Sequence, residues 1–445
     1  MTDLEQRLRA AIRAIADEPD VALPPRPAVT VRLPWLRRYA VPAVAALAVV
    51  VAIFAITLPQ PGGTPHRPAA GSDEVFLPDE IAGLSLLTAT VSDAPLGQPA
   101  MAVLHQGNLG TTWGSSQVVV IAADGRTYRR LDLAEQRGAL AADGEWVHAQ
   151  TRLAPDGRLV AIGDPHGGAT DIAVLDLVTG RRHDYPLARP SAYRLLGWSP
   201  DGRTLALLAV PGATRDIYET EPGGLADLVV LDLATGALAT VSQVPSAVGE
   251  HYCFTGDGRA VVAGVRDDEE PGFTLYPIDG SAKRTVPVPA AWRLAGCAPD
   301  GSLLVTQPDT ADARLRLVSA TDGAVLRETR LPQPVDEALA WRSASTPILY
   351  APSWLAEGAT GRVLAAPFDG QVTTLSTADE GWFSRVTVLE LAAALAGDAA
   401  PTGAGPERGP WPVWARVVTA TLVVLAGAVL VLRRRRRTAT SEVTA

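Results

Sequence analysis

Six times along the chain, a run of apolar residues enters a glycine-containing turn and leaves it as a more polar strand pattern. The copies are QVVVIAADGRTYRRL from Gln117, DIAVLDLVTGRRHDY from Asp171, DLVVLDLATGALATV from Asp227, FTLYPIDGSAKRTV from Phe273, RLRLVSATDGAVLRE from Arg314 and GRVLAAPFDGQVTTL from Gly361. Four copies follow a second hairpin pattern: LAPDGRLVAIG from Leu153, WSPDGRTLALL from Trp198, FTGDGRAVVAG from Phe254 and CAPDGSLLVTQ from Cys297. Asp-Gly between such runs is a hairpin signal, because glycine enters the left-handed turn conformation freely and aspartate accepts hydrogen bonds from the turn backbone.

The six copies start 41 to 56 residues apart. A repeat of that length, built from four short strands, is the signature of a propeller blade. The spacing therefore predicts an all-β fold, a six-bladed β-propeller over residues 75–396. Asp156, Gly157, Asp201, Gly202, Asp257, Gly258, Asp300 and Gly301 are assigned to turns, and Trp198 to a place between blades. Metal ligation by the Asp-Gly pairs is the alternative, and turn chemistry accounts for them more simply. Strand-like stretches flank the repeats, LSLLTATV from Leu84 and MAVLHQ from Met101 at one end, TTLST from Thr373 and WFSRVTVLEL from Trp382 at the other. One blade is expected to be completed from both ends, which pairs the otherwise open terminal edges.

The run Trp198-Ser199-Pro200-Asp201-Gly202, followed by Asp227 to Gly236, resembles the repeat of TolB-type β-propellers, which are related to WD-repeat propellers. The resemblance covers roughly residues 75 to 390 and is regular in blades two to five. Elsewhere it degenerates: Phe254 and Cys297 stand where Trp198 stands, and Trp341-Arg342-Ser343 lacks the Pro-Asp-Gly. It implies a fold and leaves the activity open, since propellers serve as binding modules, scaffolds and enzymes.

Val41 to Leu58 is eighteen residues without a charge, and Val413 to Leu432 is apolar apart from Arg416. Both are long enough to span a bilayer, with Arg416 snorkelling and Trp411 and Trp414 at the interface. A cleaved signal peptide is the alternative for the first. The forty residues ahead of it, the lack of a small-residue cleavage site, and Pro59, Pro61 and Pro65 behind it favour an uncleaved anchor. Arg32, Arg37 and Arg38 precede the first segment and Arg433 to Arg437 follow the second. The positive-inside pattern then places both termini in the cytoplasm of a bacterial cell, both helices in the plasma membrane and the propeller outside. The expected divisions are a cytoplasmic segment 1–38, a transmembrane helix 39–58, a linker 59–74, the propeller 75–396, a linker 397–410, a transmembrane helix 411–432 and a basic tail 433–445.

Between Leu58 and Pro410 the chain carries 26 basic and 42 acidic side chains, a net −16, against −9 for the whole. This excludes nucleic acid as a general partner. Cys253 and Cys297 are the two cysteines. Aligned on the Asp-Gly turns, Cys297 falls at the Trp198 position and Cys253 one residue earlier in the neighbouring blade, where the two can face each other. They read either as a disulfide, permitted outside the cell, or as two buried thiols. The six histidines never fall three or four residues apart, so no helical zinc motif exists. Gly197 to Asp201 lacks the second glycine of a nucleophile elbow. Asp267 to Glu270 reads as a solvated loop, with Ca²⁺ binding as the alternative. No catalytic, cofactor-binding or metal-binding residue is assigned. At the N-terminus, Thr2 and Glu5 form a capping box, and Leu4, Leu8, Ala11, Ile12 and Ile15 form one apolar face. That amphipathic helix suits the inner membrane surface or a cytoplasmic regulator.

The expected role is a membrane-anchored extracytoplasmic module that binds or scaffolds an envelope protein or ligand and has no enzymatic activity. Two alternatives stand beside it. One is a lactonase-like propeller enzyme with a metal in its central channel. The other is a membrane sensor that reports through the N-terminal helix.

Overall fold

The alternating apolar runs form strands, and the glycine turns between them form antiparallel hairpins. The computed structural model describes residues 74–83, 85, 87–107, 117–137, 151–212, 224–245, 252–265, 272–307, 312–353, 361–378, 385–411, 414–422, 425 and 427. Residues 58–416 form one unit. A second comprises 1–57 and 417–445, of which 417–422, 425 and 427 are described and helical.

The first unit is mostly β. It opens with β1 (Phe76–Pro78) and β2 (Glu80–Ile81), then β3 (Ala100–Gly107), β4 (Gln117–Ala122), β5 (Tyr128–Arg130) and a short helix α1 (Asp132–Gln136). A seven-stranded sheet follows in chain order: β6 (Thr151–Leu153), β7 (Leu159–Ile162), β8 (Asp164–Asp176), β9 (Arg181–Trp198), β10 (Thr204–Pro211), β11 (Leu225–Asp232) and β12 (Leu238–Pro245). Next come two four-stranded sheets. One is β13 (Tyr252–Phe254), β14 (Ala260–Val265), β15 (Gly272–Pro277) and β16 (Arg284–Pro287). The other is β17 (Arg293–Cys297), β18 (Leu303–Gln307), β19 (Arg314–Val318) and β20 (Val325–Arg330). The last sheet holds β21 (Glu337–Ser343), β22 (Thr346–Ala351), β23 (Arg362–Ala365) and β24 (Thr373–Ala378). The chain ends with β25 (Arg385–Leu391), a helical turn α2 (Ala393–Ala396) and β26 (Ala400–Thr402).

These sheets have a propeller-like arrangement. Their first strands touch in the order β25, β6, β9, β13, β17, β21 and back to β25. Middle strands are apolar on both faces, as strands sandwiched between neighbouring sheets must be. In β10, Leu205, Leu207 and Ala209 face one buried cluster with Ile172 and Trp198, while Ala206 and Leu208 face another with Phe254 and Val261. In β22, Ile348 and Tyr350 pack towards Leu104 and Leu389, and Leu349 packs towards Leu304 and Leu315. Strand β9 serves two repeats. Its first half is exposed like an outer strand, and its second half, from Ser191, is buried like an inner one.

Closure uses both chain ends. β25 pairs antiparallel with β3, from Arg385↔Gly107 to Leu391↔Ala102, and so heads the sheet of β3, β4 and β5. β2 adds parallel to the outer edge of β24 through Glu80↔Thr377 and Ile81↔Ala378. The described part of the stretch from Leu84 joins no ladder. Thr90 makes an isolated bridge to Arg130 of β5, and the Ala89 amide donates to the Arg408 carbonyl at 2.8 Å, while the free edge of β3 is paired with β25.

Residues 397–410 are likewise not a free linker. β26 pairs in parallel with β1, the Tyr128 amide donates to the Glu407 carbonyl at 2.8 Å, and Arg408 donates to the Gly83 carbonyl at 2.9 Å. Backbone groups alone make most of these bonds, so a segment of Pro, Gly and Ala can satisfy an edge as well as any other. The segment 39–58 and the expected N-terminal helix lie outside the described residues; of 411–432, residues 411, 414–422, 425 and 427 are described. Among the described residues, no helix is long and apolar enough to cross a membrane.

The Asp-Gly turns have the expected geometry. Gly157, Gly202, Gly258 and Gly301 have φ of 72°, 69°, 69° and 85°. The preceding aspartates accept from the amides of Arg158, Arg203, Arg259 and Ser302 at 2.9, 3.1, 3.0 and 3.0 Å. The four glycines are not equally replaceable. A Cβ on Gly157 would lie 2.0 Å from the Ala100 carbonyl oxygen, whereas one on Gly301 meets nothing within 4 Å. Gly301→Ala is expected to cost about 1–2 kcal/mol for its left-handed conformation alone. Gly157→Ala should cost at least about 2 kcal/mol more, because backbone must move. Denaturant unfolding of the two variants side by side measures the difference.

Candidate functional site

The polar chemistry of the ring is concentrated where neighbouring inner strands meet. Glu390 of β25 bonds to the next sheet twice: Oε1 accepts from Arg152 Nη1 at 2.6 Å, and Oε2 accepts from the Leu153 amide at 2.7 Å. Arg152 in turn donates from Nε to the Leu196 carbonyl of β9 at 3.1 Å. Trp198 returns its indole N–H to the Arg152 carbonyl at 2.8 Å. Arg194 of β9 sits 4.9 Å from the ring centroid of Tyr252 on β13, within cation–π range. Cys253 and Cys297 form a disulfide between β13 and β17, with Cα atoms 5.6 Å apart. Trp341 donates to the Cys297 carbonyl at 3.1 Å, joining β17 to β21. Tyr350 Oη donates to the Val386 carbonyl at 2.8 Å, which brings the circuit back to β25.

One carboxyl stands apart. Glu337, the first residue of β21, is half-buried, and its carboxyl makes no hydrogen bond to any described residue although its backbone pairs with Tyr350 of β22. Burial pushes its pKa up to about 8; Arg152 opposes the shift, while Asp336 and Glu390 add to it. Glu390 is also raised by burial, against the pull of Arg152 and the Leu153 amide. The side chains of the Arg152–Glu390 pair are 18% and 11% exposed. Solvent therefore reaches this corner of the inner wall without flooding it. A proton-holding carboxyl beside a bonded Arg–Glu pair can donate a hydrogen bond, or release its proton and accept a cation.

His105 is different in kind. Its Nε2 lies 3.0 Å from Thr151 Oγ1, and both side chains are buried. Burial, with Arg152 adding, lowers its pKa to about 4, so the imidazole is neutral. The pair packs the interior between β3 and β6.

The residues assigned from the sequence lie away from this corner's chemistry. Asp201 is held below the usual carboxylate range by Ser199, whose Oγ donates at 2.6 Å, and by the Arg203 amide. Asp257 is held down in the same way by Thr255, at 2.7 Å, and the Arg259 amide. With Asp156 and Asp300 they serve one turn each and do not converge. Ser199 of the elbow-like run is bonded to Asp201 and is buried. Among the described residues, no three His, Cys, Asp or Glu side chains are grouped to hold a metal. Asp267 to Glu270 lies outside the described residues.

Arg152, Glu337 and Glu390 are the functional candidates that the motifs did not single out. Arg152 stands four residues before a turn aspartate, at the very position Cys253 occupies in its own repeat, and that register was the one available signal.

No family model matches the chain, and no curated protein matches it. Solved structures do resemble it. TolB from Acinetobacter baumannii is 15% identical with a TM-score of 0.46, over 66% of this chain and 67% of that one. A putative TolB from Agrobacterium tumefaciens is 14% identical with a TM-score of 0.43, over 67% and 96%. An oligogalacturonate lyase in complex with manganese is 13% identical with a TM-score of 0.43, over 67% and 79%. The likeness is to TolB-type and other propellers, and it concerns the fold alone.

The raised pKa of Glu337 has a readable consequence. The folded chain holds this proton more tightly than an unfolded one does, so its stability falls as pH rises from about 4.5 to about 8 and is level beyond. Glu337→Gln removes that loss. The variant is expected to gain on the order of 2 kcal/mol over the parent between about pH 5 and pH 9, well under the full value of the shift because solvent reaches the group. Denaturant midpoints across that range measure it, and parallel pH profiles for the two proteins would reject the assignment.

Proposed function

We propose that the chain is a membrane-anchored, extracytoplasmic, six-bladed propeller that binds or scaffolds an envelope protein or ligand. Dividing the seven-stranded sheet at β9 supports the count: each half then has four strands, and six first strands meet in the inner circuit. The Cys253–Cys297 bond supports an oxidising compartment. Trp411, Trp414, Val417, Val418, Leu422 and Leu425, about half exposed or more at 47–60%, support a helix whose surroundings are apolar.

The observation that carries the binding role is the state of the inner wall. Its charged and aromatic groups are largely engaged in strand-to-strand links, and the turn aspartates are engaged in turns. Among the described residues of that wall, the Glu337 carboxyl has no hydrogen-bond partner and is left to meet a ligand. An acidic surface on such a frame favours a basic partner and a salt-sensitive association.

One observation favours a second reading, a propeller enzyme. Glu337 and Glu390 lie in one electrostatic neighbourhood, one proton-holding and one bonded to Arg152. Carboxyl pairs with divided roles are how acid–base sites are built.

Two measurements test these readings. Protease added outside spheroplasts should cut between residues 59 and 410 and leave both ends intact, and protection of that middle would reject the topology. Full-length chain in detergent should retain an envelope component that is released as salt rises, with no turnover of lactones, esters or uronide oligomers. Turnover that disappears in Glu337→Gln would replace the binding reading with the enzymatic one.

A further inference from the structure

The Asp-Gly hairpins give the inner strands a shared register, and that register shows what the disulfide stands in for. Between β6 and β9, Trp198, three residues before the turn aspartate Asp201, donates its indole N–H to the carbonyl of Arg152, four residues before Asp156. Between β13 and β17 the same two positions are Cys297, three before Asp300, and Cys253, four before Asp257. There the covalent bond replaces the indole–carbonyl bond. Between β9 and β13 the two positions are Phe254, buried, and Gly197. Cys297 is a node as well, because its carbonyl accepts from Trp341 of the following sheet at 3.1 Å. Both cysteines are partly exposed and lie against an apolar cluster that includes Val262, Leu294 and Val305.

We propose that the Cys253–Cys297 bond is a redox-operated lock between two neighbouring sheets, set in the place of a tryptophan staple, so that the β13–β17 joint is the one seam of the ring that a dithiol opens. These are the only cysteines in the chain, so no other joint can respond in this way. The step is a two-electron reduction. A dithiol donor is oxidised to its disulfide, and the two electrons and two protons convert the S–S bond into two thiols. Two thiols are far smaller than an indole, and neither reaches a carbonyl as the Trp198 N–H does. The reduced seam keeps its apolar cluster and loses its cross-link, while Trp341 still ties β17 to β21. Tyr252, beside Cys253, is the residue over which Arg194 sits, so loosening begins at the inner wall.

The full-length chain in detergent, with and without a dithiol such as dithiothreitol, tests this. Under native conditions both thiols should become alkylatable, β-sheet circular dichroism should persist, and Tm should fall by about 5–10 °C, the scale on which a lost cross-link moves the midpoint of a chain this size. Limited proteolysis between residues 246 and 311 should accelerate at least about fivefold. The variant C253A/C297A should match the reduced protein and ignore dithiol. C253A/C297W, which rebuilds the indole at its register position, should regain the protease resistance of the oxidised form and also ignore dithiol. Three results would overturn the proposal: a bond reduced only after denaturation, reduction that leaves Tm and proteolysis unchanged, or reduction that abolishes the β-sheet signal. A C253A/C297W chain as protease-sensitive as C253A/C297A would overturn the staple equivalence.

Discussion

The antiparallel pairing of β25 with β3 is the bond on which the ring depends. Without it, the sheet of β3, β4 and β5 would turn an open edge towards the interior, with its amides and carbonyls unpaired. Two inner links would go with it, since Glu390 and the Val386 carbonyl both ride on β25. The outer edge is treated in the same spirit from the other terminus, with β2 laid on β24 and β1 held by β26. The ring is thus sealed twice, once at its inner rim by the last long strand and once at its outer rim by the first short ones.

Within that seal, the inner strands are joined by links of quite different chemistry: an ion pair, indole–carbonyl bonds, a cation–π contact, a disulfide and a buried tyrosine hydroxyl. Variety follows from the geometry. The turns fix where each strand begins, and whatever side chain occupies the facing positions must bridge a similar gap with its own reach. Glu337 has no such bridge among the described residues, which leaves its titration as the open electrostatic question on that wall. Its half-burial is enough to hold a proton near neutrality, and Arg152 nearby is already committed to Glu390.

What is local was legible in the residues. Asp156 and Gly157 carry their turn with them, as do the other three pairs, and the unbroken apolar run from Leu205 to Ala209 announces a strand buried on both faces. What depends on distance was not. Arg152 looks like any charged residue ahead of a turn, and its partner Glu390 lies 238 residues further on, in a strand with no turn motif after it. The stretch from Leu84 shows propensity overruled by its surroundings, since Ala89 and Val91 bond to the Arg408 and Arg130 carbonyls and join no ladder. Residues 397–410 show the converse. Their composition describes how an isolated chain would behave, yet edge pairing asks only for backbone.

The double seal also sets a timetable. Arg408 and Gly83 are 325 residues apart and bonded, and β25 must reach β3 across a comparable span. At synthesis rates of about 5–20 residues per second, β3 exists for tens of seconds before its inner partner has been made. During that interval the nascent chain holds a nearly complete arc of sheets with one bare edge, the condition under which strands pair with the wrong neighbour. The ring is therefore most vulnerable while it is being made, and safest once its last long strand has reached its first.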